Sequence, residues 1–226
     1  MPAYFVTGTD TGIGKTHVSV ALLEAARAAG RSTLGLKPVA AGCEETPDGL
    51  RNDDALALQA ASSVMPLYQE VNPVALAAAC SPHIAAKLAG RRLTCSQIAG
   101  YCRGAMGRRA DLTLIEGAGG WRVPISDREL LSGLPRELRL PVVLVVGLRL
   151  GCLSVAMLTA EAILKDGLRL AGWVGNVVEP DLFGLDDNVA TLRQWLPAPC
   201  LGVLPWAPGA PVAEAAALLD LAPLLP

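Results

Sequence analysis

Gly14-Lys15-Thr16 is the triplet in this chain with the most chemical meaning, because of what lies on either side of it. Tyr4-Phe5-Val6-Thr7 reads as a short buried strand, and Gly8-Thr9-Asp10-Thr11-Gly12-Ile13-Gly14-Lys15-Thr16 follows at once. Val18, Leu22, Ala25 and Ala29 then recur at helical spacing. Strand, glycine-rich loop, Gly-Lys-Thr and helix form the order of a phosphate-binding loop. Consecutive backbone N–H groups there curl around an anion, and the open N–H groups of the helix start add positive potential. Gly12 and Gly14 lack a Cβ, so backbone can approach phosphate oxygens closely. Lys15 has the reach for the outer phosphates, and the Thr16 hydroxyl is a ligand for Mg²⁺. Thr11, Gly12, Ile13, Gly14, Lys15 and Thr16 are therefore the expected nucleotide cradle. The spacing departs from the usual pattern by one residue: Thr9 stands where the first glycine is expected, and Gly8 comes just before it.

Other polar residues fall where strands are expected to end. Lys37 follows Thr33-Leu34-Gly35-Leu36 and precedes Pro38; Glu116 follows Leu112–Ile115 and precedes Gly117-Ala118-Gly119-Gly120; Asn176 follows Ala171–Val174. Asp53 and Asp54 open a helix. A lysine, a carboxylate and a phosphate loop on one sheet edge suit phosphoryl transfer. Mg²⁺ takes a few hard oxygens together with phosphates and water, and Thr16, Glu116 and one of the two aspartates are such donors. Each residue also has a plainer role. Asp53 is a potential helix cap, Asp54 a solvated first-turn carboxylate, Lys37 a lysine snorkelling from a strand end. Gly151-Cys152-Leu153-Ser154 leads from a strand into a helix whose first turn has no acidic residue. Its N–H groups make a second anion site suited to a substrate carboxylate, or are simply capped by Ser154 or water.

Strands are expected over 3–7, 33–37, 111–116, 141–146, 170–175 and 200–204. Helices are expected over 15–29, 53–62, 83–89, 94–109, 152–165, 187–195 and 213–220. Residues 41–52 read as a loop and 63–82 as irregular. Leu112–Ile115 and Val142–Val146 are continuous apolar runs, as in strands covered on both faces. Alternating β and α elements give an α/β fold, a doubly wound, mostly parallel sheet flanked by helices, with ligands outside the carboxyl ends of the strands. The 226 residues suit one domain, 1–226, with a substantial core. Net charge is −2 and aromatics are few, so neither a basic tract nor stacking rings point to nucleic acid. No apolar run is long enough for a bilayer span. The first residues run straight into a strand, leaving no room for a signal peptide, and the six cysteines form no Cys-x-x-Cys pair. A cytoplasmic protein with reduced cysteines is the expectation.

These residues resemble the dethiobiotin synthetases of biotin biosynthesis. The matching segments are Tyr4–Thr11, Gly14-Lys15-Thr16, Lys37-Pro38-Val39, Leu50-Arg51-Asn52 with Asp54, Asn72-Pro73, Ser81-Pro82-His83, Glu116–Trp121, Leu150-Gly151-Cys152, Ala156–Ala160, Ala171–Val174 with Asn176, and Pro205-Trp206. They run in the family's order over almost the whole chain. The resemblance implies a P-loop NTPase type of fold and a ligase that converts 7,8-diaminononanoate, CO₂ and ATP to dethiobiotin, ADP and phosphate. It implies Mg²⁺ held by Thr16, Asp54 and Glu116, and nucleotide contacts extending to Asn176 and Pro205. Lys15 and Lys37 are the implied catalytic residues. Lys37, Ala41, Gly151, Cys152 and Ser154 are implied at the substrate, across the interface of a homodimer. Either lysine should then be removable with the fold intact. This chain departs from the family at Gly12, where some relatives carry a carboxylate, and at Ala41, where a hydroxyl residue is expected. Pro180–Asn188 also lacks a tyrosine that some relatives have. Two other readings share the first half of the chain. A cobyrinate-type amidating enzyme would bring a glutamine-hydrolysing domain, for which there is no room. A partition-type ATPase would carry a second lysine early in the loop, where Asp10 stands.

Overall fold

In the computed structural model, which describes residues 2–225, six parallel strands form one central sheet. Met1 and Pro226, the ends of the expected domain, lie outside the described residues. The chain opens with β1 (Ala3–Gly8), α1 (Lys15–Ala28) and β2 (Thr33–Leu36). Next come β3 (Val39–Ala41), β4 (Glu44–Thr46), β5 (Gly49–Arg51), α2 (Asp53–Ala60), α3 (Tyr68–Val71) and β6 (Val74–Leu76). Then follow α4 (Pro82–Leu88), α5 (Cys95–Met106), β7 (Leu112–Glu116), α6 (Gly133–Leu138) and β8 (Val142–Leu148). The chain closes with α7 (Cys152–Lys165), β9 (Leu170–Val177), α8 (Leu185–Trp195), β10 (Cys200–Leu204) and α9 (Val212–Ala216).

The sheet order is β10-β9-β8-β1-β7-β2. Every residue of β7, β8 and β9 is buried, so helices cover both faces, as the continuous apolar runs require. The strand order reverses around β1, which puts the loop after β1 at the topological switch point, where α/β sheets bind ligands. The α1 helix buries Val18, Ser19, Leu22 and Ala26; of the expected stripe Val18 and Leu22 are buried, Ala25 is half-buried, and Ala29 is exposed just past the helix end.

Several expectations are corrected. Residues 41–52 are not a bare loop but contain the antiparallel pair β4–β5. Residues 63–82 contain α3 and β6, and β6 pairs in parallel with β3. These strands have three residues each, too short to show a period. The α6 helix went unseen because it has six residues and carries Pro135. The last helix ends at Ala216 rather than 220. Asn176 lies within β9 rather than after it, while Glu116 is the last residue of β7, as expected.

Close approach to the loop shows which glycines are indispensable. A Cβ on Gly147, in β8, would lie 2.6 Å from Ile13 Cγ2 and 2.9 Å from Ile13 Cβ. Gly147→Ala is expected to cost about 1–3 kcal/mol, because the nearer obstacle is anchored in the loop and not the end of a flexible chain. Gly100, exposed in the middle of α5, has nothing within 4 Å of its position for a Cβ. Gly100→Ala should therefore stabilise by about 0.5–1 kcal/mol through helix propensity. Urea midpoints at constant slope would show the opposite signs.

Candidate functional site

Three adjacent strand ends build the site. In the register, Val6 pairs with Glu116 and Leu36 with Ile115, so Lys37 emerges beside Glu116, and both flank the loop after β1. Neighbouring strands lie about 4.8 Å apart, within reach of one long side chain. Lys37 Nζ donates to Glu116 Oε1 at 2.6 Å, to Asp54 Oδ2 at 2.9 Å and to the Gly117 carbonyl at 3.2 Å. All three of its protons are thus used. Glu116 also accepts from Thr16 Oγ1 and Ser19 Oγ, each at 2.8 Å. Glu116 is 1% exposed and Lys37 is 5% exposed. Lys37 is therefore no snorkelling lysine but the centre of a buried, fully bonded network.

The loop itself is shaped by Gly12 at φ 75° and Gly14 at φ 80°, the left-handed conformation that suits glycine. Gly14 is the residue that caps α1, and the first turn of α1 holds no acidic side chain. Ile13 points its side chain away from the loop into the core, where it is 1% exposed. Its carbonyl accepts from Asn176 Nδ2 at 2.8 Å, which ties the loop to β9. Lys15 folds over the loop and donates to the Asp10 carbonyl at 2.7 Å.

The two lysines titrate in opposite directions. Burial pulls Lys15 down to about 8, with the Lys37 ammonium adding to the effect. Burial would lower Lys37 as well, but Glu116 and then Asp54 outweigh it and leave Lys37 raised. Asp54 is opposed by burial, yet Lys37 and Thr16 hold its carboxyl below the usual value.

A cleft of about 850 Å³ opens over this network. Of the residues expected at the site, Thr11, Gly12, Gly14, Lys15, Thr16, Lys37, Ala41 and Asp54 line it, whereas Ile13, Glu116, Asn176 and Pro205 do not. Asp53 is exposed and is not the cap: Asn52 caps α2 by accepting from the Ala55 N–H. Gly151, Cys152 and Ser154 do not line this cleft. Gly151, at φ 89°, precedes α7 with no side-chain cap, and Cys152 is buried. Pro205 follows Leu204, which pairs with Asn176, so both sit at one corner of the sheet. Cleft residues that the sequence did not flag include Ala40, Ala79, Cys80 and Val123. Ser19 was also missed, although it lies one turn after Thr16 on the same helix face.

Among the described residues no group of three or more His, Cys, Asp and Glu is placed to hold a metal. The donors present are the hydroxyl of Thr16 and the carboxylates of Asp54 and Glu116, all hard oxygens; the two carboxylates pair with Lys37, and Thr16 donates to Glu116. Such a set suits an ion that takes most of its ligands from phosphate and water.

The family profile described as an AAA domain matches residues 2–211. The ATP-dependent dethiobiotin synthetase BioD of Cellvibrio japonicus (strain Ueda107) is 59% identical over 99% of this chain and 97% of its own length. The protein of the same name from Pseudomonas aeruginosa (strain UCBPP-PA14) is 58% identical over 99% and 98%. Among solved structures, a ParA family ATPase from Chlorobium tepidum TLS aligns with TM-score 0.57 at 9% identity, over 96% of this chain and 89% of that one. The septum site-determining protein MinD of Pyrococcus horikoshii OT3, complexed with Mg-ADP, aligns with TM-score 0.52 at 16% identity, over 91% and 82%. At such identities the likeness is one of fold.

Removing the central ammonium leaves Glu116 buried with two hydroxyls and no cation. Lys37→Ala is expected to destabilise the protein by about 3 kcal/mol at pH 7, the low end for a broken buried pair. The variant is still expected to fold, with that much less margin. The depressed Asp54 carboxyl contributes stability that is present above its usual 3.8 and lost as pH falls through its lower folded value. The gap between wild type and variant should therefore narrow in acid. Equal urea midpoints at pH 7 would mean that the pairing carries no stability.

Proposed function

This chain belongs to the ATP-dependent dethiobiotin synthetase family, and from that premise we propose how its cleft divides the work. The enzyme is a ligase that uses ATP to close a ureido ring in biotin synthesis. Its substrates are assigned as 7,8-diaminononanoate, CO₂ and ATP. One amine adds to CO₂, forming an N–C bond and releasing a proton, which gives a carbamate. The carbamate oxygen attacks the γ-phosphorus, the bond to the β–γ bridging oxygen breaks, and ADP leaves. The second amine then attacks the carbonyl of the carbamic-phosphoric anhydride. The C–O bond to phosphate breaks, a second proton leaves, and the ring closes.

The observation that carries this reading is the Lys37–Glu116–Asp54–Thr16 network beside the phosphate loop, with Thr16, Lys37 and Asp54 lining the cleft and Glu116 buried beneath them. Thr11 to Gly14 offer backbone N–H groups to the phosphates. Lys15 exchanges the Asp10 carbonyl for phosphate oxygens. Lys37, held protonated, faces the charge that develops on the transferring phosphoryl group. Catalysis of this kind is positioning and charge stabilisation. Thr16, Asp54 and Glu116 would hold Mg²⁺, which when bound neutralises the β- and γ-phosphate oxygens. Asn176 spends one amide proton on Ile13, and among the described residues no donor reaches its Oδ1, which suits an adenine amino group. Pro205 would border the same base. Ala40, Ala41, Ala79 and Val123 give the cleft an apolar wall for the methylene chain of the diamino acid.

The substrate carboxylate is assigned to the open helix start at Gly151-Cys152-Leu153-Ser154 of a second subunit. Support comes from exposed apolar side chains on this helix: Leu150, just before it, is 89% exposed, and Val155 and Leu158, three residues apart on one face, are 42% and 61% exposed. Such a patch marks a protein interface, here that of a homodimer of single-domain chains. No helix among the described residues is long and apolar enough to cross a membrane. The six cysteines are unpaired, the state that a reducing cytoplasm maintains.

The primary test mixes protein, diamino acid, bicarbonate and Mg-ATP, and detects dethiobiotin by mass; no product would refute the assignment. Lys15→Ala should lower turnover by roughly 10²–10³. Because Lys15 is an ammonium only below about 8, kcat/KM for ATP should fall as pH rises through that value. Lys15→Arg should move that limb upward, and an unmoved limb would belong to another group. The α7 assignment meets its own test in the methyl ester of the diamino acid. Turnover of the ester with the KM of the free acid would rule out carboxylate capture. An active monomer in sedimentation would rule out the cross-subunit version.

A further inference from the structure

Two side chains outside the cleft tie Lys37 to the helix that carries Asp54. Asn72 Nδ2 donates to the Lys37 carbonyl at 2.6 Å. Tyr68 Oη donates to Asn72 Oδ1 at 3.1 Å and accepts from the Asn52 N–H at 2.8 Å. Asn52 is the residue that caps α2, and Asp54 sits in the turn so capped. The Lys37 N–H in turn donates to the Val71 carbonyl at 3.0 Å, so α3 and the residue after it grip both peptide groups of Lys37. Tyr68 and Asn72 are both buried, and the Arg51 guanidinium lies 4.2 Å from the centre of the Tyr68 ring.

The chain between Lys37 and Asp54 leaves the central sheet, making β3 and the β4–β5 pair on the way. The Asn52–Tyr68–Asn72–Lys37 chain of hydrogen bonds joins the two by a shorter route. The Tyr68 hydroxyl has one proton to give and here also accepts one, so the chain runs in a single sense from Asn52 to the Lys37 carbonyl.

We propose that Tyr68 and Asn72 are positioning residues, whose hydroxyl and amide set Lys37 Nζ and Asp54 Oδ2 at 2.9 Å from each other and so align both groups on the reacting phosphates. The proposal rests on the reading that Lys37 and Asp54 act in the cleft. It acts through geometry, and misplacement of about 1 Å can cost as much as 10²-fold in rate.

The test is Tyr68→Phe in the full-length protein, which keeps the ring and removes the hydroxyl. The expected result is a kcat lower by about ten- to a hundredfold. KM for ATP should stay within about twofold, because the hydrogen bonds lost do not touch the phosphate loop. Tyr4→Phe is the control. It removes another buried tyrosine hydroxyl, which donates to the Leu224 carbonyl at the opposite end of the sheet from the cleft. It should lower the apo-protein Tm about as much while leaving kcat at the wild-type value. In an Asp54→Asn background the Tyr68→Phe effect should shrink to less than about twofold, because coupled sites are non-additive. Wild-type kcat for Tyr68→Phe, or an equal loss in both backgrounds, overturns the proposal alone. Wild-type kcat for Asp54→Asn overturns the reading of the cleft, and the proposal with it.

Discussion

Everything in the cleft is arranged around one contact, the 2.6 Å ion pair between Lys37 Nζ and Glu116 Oε1. Both groups are withdrawn from water, and a buried charge without a partner is far more costly than a paired one. The pair can exist there because its remaining valences are filled. Thr16 and Ser19 supply protons to the carboxylate, and Asp54 and the Gly117 carbonyl take protons from the ammonium. A network satisfied to this degree holds one geometry without needing a ligand to form it. Such preorganisation is what stabilisation of developing charge requires.

The sheet explains why these partners meet. β2, β7 and β1 lie side by side, all parallel, so their carboxyl ends present Lys37, Glu116 and the phosphate loop in one row. The two lysines of that row then differ by what lies beneath them. Lys37 rests on two carboxylates and stays charged against its burial. Lys15 is buried over backbone, with a second ammonium nearby, and gives up its proton at about 8. One is a fixed charge, and the other is a charge that an incoming phosphate would reinforce.

The two halves of the cleft are secured differently. On the nucleotide side the backbone does most of the work, with glycines at positive φ and Asn176 pinning the Ile13 carbonyl. On the other side Asp54 arrives on α2 after an excursion from the sheet, and its place depends on the hydrogen bonds through Tyr68 and Asn72. The start of α7 stands apart from both, with Leu150, Val155 and Leu158 exposed at and along that helix.

What the sequence determined by itself was local. The phosphate loop is a run of consecutive residues whose glycines, lysine and threonine act within a single turn, so its physics is written in order. The buried strands were legible for a similar reason: a strand covered on both faces must be an unbroken apolar run. The placing of Lys37 and Glu116 at strand ends also followed, because β2 and β7 were recognisable. Only the tertiary structure decided who touches whom. Lys37 and Glu116 are 79 residues apart, Asn176 and Ile13 are 163 apart, and no periodicity encodes such pairings. It also decided that Asn52 rather than Asp53 caps α2, a choice made by backbone dihedrals at the cap. The β3–β6 and β4–β5 pairs are too short for a pattern and are stabilised by partners distant in sequence. No sequence pattern singles out Tyr68 or Ser19, because their hydrogen bonds form only once the strands are side by side.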